Sequence, residues 1–221
     1  MPSSGSRFQL IVFDLDGTLI DSRRDIAASA NALLVQCGAE ALPDEEVGRM
    51  VGEGAAVLVE RAFKARRIAP PDDALPRFLE IYAAHLTDET RPYPGIPAAL
   101  DALRSRATLA LLTNKPLAAT RTILDRLGLQ AFFPTSLVFG GDGPFPRKPD
   151  PSGLRELMRK TDSEPLSTVL VGDSLIDWRT ARAAACTICL AAYGFGFIGF
   201  PIETIGSDDL QVTSPADLST L

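Results

Sequence analysis

Two aspartates one residue apart follow an apolar run near the start of the chain. Over residues 10–18 a Leu-Ile-Val-Phe stretch leads directly into Asp-Leu-Asp-Gly-Thr, which places Asp14 and Asp16 at its end. The run is typical of a buried strand, and side chains alternate along a strand, so both carboxylates lie on one side. Burying two neighbouring carboxylates is costly unless a cation compensates them. The pattern therefore predicts a metal-dependent site with one aspartate as nucleophile and the other as acid and base.

A solvated Asp-Gly turn is the alternative interpretation of this segment. It explains the Asp-Gly pair but neither the apolar run before it nor the second aspartate. Three later segments also weigh against it, because each places polar residues beside an apolar run or a proline. They read Leu-Leu-Thr-Asn-Lys at residues 111–115, Arg-Lys-Pro-Asp-Pro at residues 147–151, and Val-Leu-Val-Gly-Asp-Ser at residues 169–174.

In this order the four segments resemble the motifs of the haloacid dehalogenase-like phosphohydrolases, and the resemblance spans the chain from Leu10 to about Gly194. It implies that Asp14 is a nucleophile that forms an aspartyl-phosphate, and that Asp16 serves as general acid and then as base. It further implies a Mg²⁺ ion held by the Asp14 carboxylate, the Asp16 backbone carbonyl and Asp173. Asp177, which follows one helical turn later, is assigned to the shell around these ligands.

The same resemblance implies how the phosphate is bound. Thr113 donates its hydroxyl to a phosphate oxygen, and the backbone N–H of Asn114 does likewise at a helix N-terminus. Lys148 supplies a positive charge to the phosphate and to Asp14. These assignments make Thr113 and Lys148 part of the catalytic set as well as of the phosphate site.

The elements that must position these residues alternate between strands and helices. Strand patterns recur at about residues 8–13, 108–112, 136–139, 167–171 and 186–190, and helical patterns lie at about residues 116–128, 151–160 and 177–185. This alternation predicts an α/β fold with a Rossmann-like parallel sheet flanked by helices. Ligands of such sheets bind beyond the carboxyl ends of the strands, where Asp14, Thr113 and Asp173 lie.

The segment between the first strand and Tyr93 has a different pattern. It contains no convincing strand but four helical stretches, at about residues 22–37, 44–50, 54–66 and 73–88. We predict an inserted all-helical cap domain over residues 21–91, and a discontinuous α/β core formed by residues 1–20 and 92–221. The family that the motifs resemble has a small helical cap at this place.

Composition narrows the possible partners. The net charge of −6 disfavours a nucleic-acid or anionic-membrane surface, and no segment approaches the length of a membrane span. We therefore expect a small phosphorylated metabolite as partner, with no nucleic acid and no membrane, and a monomer or homodimer. Residues 1–9 carry only Arg7 as a basic residue and do not resemble a signal peptide, which predicts a cytoplasmic protein.

The cysteines, the histidine and the tryptophan are predicted to have structural rather than catalytic roles. Cys186 and Cys189 form a Cys-x-x-Cys pair within a small apolar run, which favours buried core residues over redox or metal chemistry. His85 is the single histidine, so chemistry that relies on several histidines is excluded. Alanine stands at position 185, where the resembled family commonly has glycine, and this predicts altered packing rather than lost chemistry. Trp178 is interpreted as a helix anchor.

The aspartate at position 16 and the sequence of the cap loop indicate which subgroup of this family the chain resembles. Dehalogenases of this fold lack an acid–base aspartate at that position, because halide leaves without a proton. The Val-Gly-Glu-Gly sequence at residues 51–54, with those at residues 113–116 and 139–142, is similar to phosphoglycolate phosphatases. Gly52 and Glu53 are accordingly predicted to face the substrate, with 2-phosphoglycolate as the leading candidate.

Two alternatives stay open at this point. One is a β-phosphoglucomutase-like mutase or a sugar phosphatase, although the loop at residues 52–54 has no arginine or lysine for a second phosphate. The other is a catalytically silent binding or regulatory protein on the same fold. The glycine- and phenylalanine-rich loop at residues 194–201 is predicted either to associate with a partner or to pack near the site.

Overall fold

The computed structural model describes residues 7–221. Its strands are β1 (Leu10–Phe13), β2 (Ile20–Asp21), β3 (Arg91–Pro92), β4 (Thr108–Leu112), β5 (Val138–Phe139), β6 (Thr168–Gly172), β7 (Thr187–Ala191) and β8 (Leu210–Val212). Its α-helices are α1 (Arg23–Gln36), α2 (Asp44–Gly48), α3 (Ala55–Ala65), α4 (Ala74–Ala84), α5 (Ile96–Arg104), α6 (Leu117–Arg126), α7 (Ser152–Thr161) and α8 (Leu175–Ala184).

Six of these strands form one parallel sheet in the order β5-β4-β1-β6-β7-β8. The first strand lies inside it, with Leu10 beside Thr108 of β4 on one side and Thr168 of β6 on the other. Because the strands are parallel, their carboxyl ends share one edge, and Asp14, Thr113 and Asp173 follow β1, β4 and β6 there. The predicted parallel α/β core with a helical cap is confirmed.

Both faces of the sheet are covered, which accounts for the unbroken apolar run in β1. Ile11 and Phe13 point into a core cluster shared with α5, α6 and the cap, whereas Leu10 and Val12 point into a cluster shared with α7 and α8. All four of these side chains are fully buried. A strand buried on both faces has no polar positions, in contrast to the alternating pattern of a half-exposed strand.

The cap comprises α1 to α4, and two short strands join it to the core. Ile20 and Asp21 of β2 pair antiparallel with Pro92 and Arg91 of β3. Beside them the buried Asp25 carboxylate accepts hydrogen bonds from the backbone N–H groups of Glu89 and Thr90 and from the Thr90 hydroxyl, at 2.6–3.1 Å. These contacts hold the outgoing and returning chains together. The domain boundary at residues 21 and 91 stays a prediction.

Four of these helices and strands were not predicted: the helix α5, the edge strand β8, and the two-residue strands β2 and β3. The strands among them have two or three residues each, and β8 has the exposed Gln211 between the partly buried Leu210 and the buried Val212. The helix α8 begins at Leu175 rather than at 177, because Ser174 and Asp177 form a reciprocal capping box at its start. Among residues 7–221 no helix is both long and apolar enough to cross a bilayer.

Cys186 and Cys189 are buried core residues, as predicted, and Trp178 anchors its helix. All three cysteines are free, Cys186 and Cys189 are buried, and burial raises the pKa of each of these two thiols to about 12. Trp178 donates its indole N–H to Asp209 at 3.0 Å, and Arg182 lies over its ring. The indole therefore anchors α8 to the segment before β8.

Ala185 ends α8 in a left-handed conformation with a φ of 58°. Alanine is disfavoured there by its Cβ, and the side chain is exposed, so little packing offsets the strain. We expect Ala185→Gly to raise the free energy of unfolding by about 1 kcal/mol, measured by urea denaturation. The matched control is Ala183→Gly inside α8, which is expected to lower it by about 1 kcal/mol. A destabilising Ala185→Gly would contradict the strain argument.

Candidate active site

A cavity of about 440 Å³ lies between the carboxyl edge of the sheet and the cap. Asp14, Asp16, Thr113 and Asp173 line it from the core side. The cap side is mostly apolar and includes Val51, Ala55, Leu58, Phe78, Leu79 and Leu86. The parallel topology thus brings together aspartates and a threonine that are far apart in the sequence.

Lys148 connects two of the carboxylates behind the cavity. Its Nζ lies 2.7 Å from an Asp14 oxygen and 2.6 Å from an Asp177 oxygen, and its side chain is almost completely buried. Burial by itself lowers the pKa of Lys148, but the charges of Asp14 and Asp177 outweigh it and hold the pKa above its ordinary value. Lys148 is therefore a fixed positive charge next to Asp14.

Asp14 and Asp173 carry more negative charge than this lysine compensates. Burial, with a contribution from nearby carboxylates that Lys148 partly opposes, raises the pKa of Asp14 to about 6. Burial and the charges of Asp177 and Asp14 likewise raise the pKa of Asp173 well above its usual range. Oxygens of Asp14, Asp173 and Asp177 lie within 4.8 Å of one another, so the cluster fits a hard divalent cation.

The oxygens of Asp177 are already occupied within the protein. One accepts from Lys148, and the other accepts from the backbone N–H and the hydroxyl of Ser174 at 3.1 and 2.6 Å. Asp173, in contrast, accepts from the backbone N–H of Gly196 through one oxygen at 2.7 Å. This arrangement supports Asp14 and Asp173 as metal ligands and Asp177 as the residue that orients Lys148, although these roles stay predictions.

Asp16 also lines the cavity and has its own hydrogen-bond partners. Its carboxylate accepts a hydrogen bond from the Ser22 hydroxyl at 2.5 Å and two from the Lys115 ammonium at 2.9 and 3.1 Å. Lys115 lies within the motif at residues 111–115 but had no predicted role, and Ser22 was not predicted as a site residue. A lysine directly before the proline that precedes α6 was a visible signal, but sequence does not show where such a side chain points.

Lys115 also faces Tyr82 of the cap. The Lys115 Nζ lies 4.6 Å from the centre of the Tyr82 ring, within the range of a cation–π contact. Burial raises the pKa of Tyr82 to about 12, an effect that the Lys115 charge opposes, so the phenol remains protonated. This tyrosine was not identified from sequence, because it lies within an ordinary amphipathic helix pattern.

Thr113 and Asn114 form the floor of the predicted phosphate site. The Thr113 hydroxyl oxygen accepts from the backbone N–H of Lys115 at 3.2 Å, which leaves its own proton to donate. The Asn114 side chain donates to the backbone carbonyls of Gly52 and Lys148 at 2.8 and 2.9 Å, and accepts from the Lys148 N–H. Asn114 therefore ties the cap loop to the Lys148 loop, a contact that sequence did not predict.

The cap loop contributes glycines to the cavity. Gly52 and Gly54 line it, both with φ above 90°, a conformation that favours glycine. Glu53 is not among the lining residues, and its carboxylate pairs instead with Arg61. A substrate contact by Glu53 thus stays a prediction that this arrangement does not support.

The glycine-rich loop after β7 packs against the site. A Cβ on Gly194 would lie 2.2 Å from the Gly17 carbonyl oxygen, and one on Gly17 would lie 1.8 Å from an Asp173 oxygen. Only glycine fits at these two positions without displacing Asp173. Of the two interpretations of this loop, packing near the site is therefore the one found for Gly194 and Gly196.

Comparison with known proteins places these features in a family. The profile of the haloacid dehalogenase-like hydrolases matches residues 11–191. The phosphoglycolate phosphatase of Rhodospirillum rubrum is 38% identical over 206 residues, which cover 89% of this chain and 84% of that protein. The phosphoglycolate phosphatase of Cereibacter sphaeroides is 40% identical over 190 residues, or 84% of this chain and 85% of the relative.

A solved structure gives the same result for the fold. The crystal structure of a predicted phosphoglycolate phosphatase from Haemophilus somnus 129PT superposes with a TM-score of 0.88 at 29% sequence identity. The alignment covers 98% of this chain and 99% of that one, so it includes both the sheet and the helical cap.

Proposed function

We propose that this chain, which belongs to the haloacid dehalogenase-like hydrolases, is a Mg²⁺-dependent phosphatase that hydrolyses 2-phosphoglycolate through an aspartyl-phosphate on Asp14. The observation that carries the proposal is the position of the Asp14 carboxylate. One of its oxygens lies 2.7 Å from the Lys148 Nζ, and the residue lines the cavity beside Asp16. The similarity to phosphoglycolate phosphatases over most of the chain supports the choice of substrate. The proposal includes a cytoplasmic location.

The reaction has two displacement steps. An Asp14 oxygen attacks phosphorus, the ester P–O bond breaks, and Asp16 gives its proton to the departing glycolate oxygen. Asp16 then takes a proton from a water molecule that attacks the same phosphorus, which releases phosphate and restores the Asp14 carboxylate. Lys148 and the Thr113 hydroxyl bind phosphate oxygens and hold the phosphoryl group in line with Asp14.

Asp14, Asp173 and the Asp16 backbone carbonyl would hold the Mg²⁺ ion. Burial, to which the neighbouring carboxylates add, raises the pKa of Asp14 and of Asp173, and a cation bound between them would favour their charged forms. A bound Mg²⁺ ion would neutralise charge on the transferred phosphoryl group. Asp177 would keep Lys148 in place through their 2.6 Å contact.

A second candidate is a phosphatase for a larger ester, such as a sugar phosphate. The cavity of about 440 Å³ continues between the apolar cap residues Leu58, Phe78 and Leu86, so it has more room than a glycolate leaving group needs. The cap loop at residues 52–54 has no basic residue, which disfavours a second phosphate group and hence a mutase cycle.

A panel of phosphate esters distinguishes these functions. We expect the highest kcat/KM for 2-phosphoglycolate with Mg²⁺, and loss of turnover with EDTA that added Mg²⁺ restores. Hexose phosphates, nucleoside monophosphates and β-glucose 1-phosphate are the competing substrates, measured by phosphate release and by glucose 6-phosphate formation. A preference for the larger esters would reject 2-phosphoglycolate but keep the phosphatase. Absence of turnover on the whole panel would favour the binding protein.

A further inference from the structure

The cavity contains a buried positive charge that the proposed mechanism does not assign to the phosphoryl group. Among the described residues that line it, the basic side chains are Lys115 and Arg126. Arg126 is exposed at the cavity margin, whereas Lys115 is 7% exposed. Lys148, the cation of the phosphate site, is already shared between Asp14 and Asp177.

Lys115 and Tyr82 present hydrogen-bond donors to the same space. The Lys115 ammonium gives two hydrogen bonds to the Asp16 carboxylate, and the remaining one of its three N–H donors is on the side of Tyr82. The Tyr82 hydroxyl is buried, and although the Lys115 ammonium faces it, its own proton has no acceptor among the described residues. A buried donor left without an acceptor is costly, so a ligand that accepts from it gains affinity.

We infer that Lys115 and Tyr82 form the binding site for an anionic group on the leaving group of the substrate, which in 2-phosphoglycolate is its carboxylate. This inference rests on the proposed function and deepens it. The site is composite, because Lys115 follows the core strand β4 and Tyr82 belongs to the cap helix α4. A carboxylate bound there joins the cap to the core.

The position relative to Asp16 fits a short leaving group. Asp16 must reach the ester oxygen of the substrate, and the Lys115 Nζ lies 2.9 Å from an Asp16 oxygen. In 2-phosphoglycolate one methylene group separates the ester oxygen from the carboxylate, so a carboxylate reaches the ammonium when the ester oxygen is beside Asp16. The neighbouring cap residues Leu58, Phe78 and Leu79 offer no side-chain donor in competition.

The test compares 2-phosphoglycolate with its carboxamide, 2-phosphoglycolamide, which has the same size and the same leaving oxygen but no charge on the distal group. We expect wild type to prefer the acid by about 100-fold or more in kcat/KM. Lys115→Met should reduce that preference by about 100-fold, because it removes the charge. Tyr82→Phe, which leaves Lys115 and Asp16 in place, should reduce it by about 10-fold, mainly through KM for the acid.

Two controls separate recognition from general damage. Lys115 also holds Asp16, so Lys115→Met lowers turnover of both substrates, and the ratio between them isolates the carboxylate contact. Lys64→Met removes an exposed lysine of the cap helix α3 and should leave the ratio unchanged.

The outcomes distinguish this inference from the proposed function. A wild-type preference for the acid that persists in both Lys115→Met and Tyr82→Phe would overturn the inference alone, and Lys115 would then only position Asp16. A wild-type enzyme that hydrolyses neutral esters but not 2-phosphoglycolate would overturn the proposed substrate and the carboxylate site together. A folded Tyr82→Phe variant keeps the test decisive if Lys115→Met does not fold.

Discussion

Replacing Asp14 with asparagine is expected to remove turnover by about 10⁴-fold or more while the protein stays folded. The amide is nearly the same size as the carboxylate but is a far poorer nucleophile. Lys148 would retain its 2.6 Å contact with Asp177, so the substitution leaves a buried ion pair behind rather than an isolated charge. The measurement is phosphate release at saturating 2-phosphoglycolate and Mg²⁺. Beryllium fluoride trapping of the wild-type protein should place the adduct on Asp14. Substantial residual activity in a sample with a verified Asp14→Asn substitution would show that Asp14 is not the nucleophile.

The same substitution should stabilise the protein in the absence of metal. Burial raises the pKa of Asp14 from 3.8 to about 6, so its charged form is disfavoured in the folded state. Stability conferred by the protonated form is present at low pH and is lost as the pH rises from about 4 through 6. In EDTA, Asp14→Asn is therefore expected to raise Tm relative to wild type above pH 6, with a difference that shrinks toward pH 4. Equal Tm values at pH 8 would contradict the argument.

Asp25→Asn is the matched control for Asp14→Asn. Asp25 is as buried as Asp14, but its oxygens accept hydrogen bonds from Glu89 and Thr90 at the junction of cap and core. Asp25→Asn should therefore lower Tm, and the protein that remains folded should catalyse the chemical step at the wild-type rate. Asp14→Asn is thus expected to raise Tm and abolish turnover, whereas Asp25→Asn is expected to lower Tm and keep turnover. This difference separates a functional aspartate from a structural one.

The sequence predicted those site residues whose place follows from strand ends. Asp14, Thr113 and Asp173 each come directly after a buried parallel strand. In a parallel sheet the carboxyl ends of the strands lie at the same edge, so these three residues lie near one another. Lys148 lies in a loop, and only its place in the motif order identified it. Its 2.7 Å contact with Asp14 depends on packing between segments distant in sequence, which no local pattern encodes.

The contacts that were not predicted from the sequence join the cap to the core. Lys115 meets Tyr82 only because the cap helix α4 lies over the sheet edge, and Asn114 reaches the Gly52 carbonyl for the same reason. Neighbouring loop residues also differ in direction: Gly52 lines the cavity, whereas the Glu53 carboxylate pairs with Arg61. The existence of a cap could be predicted from helical periodicity, but its contacts depend on the orientation of one domain on the other.

Lys148→Met is expected to affect stability and activity together. The variant buries Asp14 and Asp177 without their shared cation, and removing one partner from a buried ion pair typically costs about 3–5 kcal/mol of stability. Turnover of 2-phosphoglycolate should fall by about 10³-fold, because the phosphoryl group loses a fixed positive charge. Urea denaturation and steady-state kinetics on the folded protein measure the two effects.

The double variant Lys148→Met with Asp177→Asn separates these effects. Removing the Asp177 charge relieves one unpaired carboxylate, so the double variant should be more stable than Lys148→Met. Its activity should stay low, since no cation returns to Asp14. Asp177→Asn alone should retain part of the activity, because Lys148 keeps its contact with Asp14 but loses the 2.6 Å partner that orients it. Recovery of turnover in the double variant would show that Lys148 serves only to neutralise Asp177, and the phosphate-binding role of this lysine would be wrong.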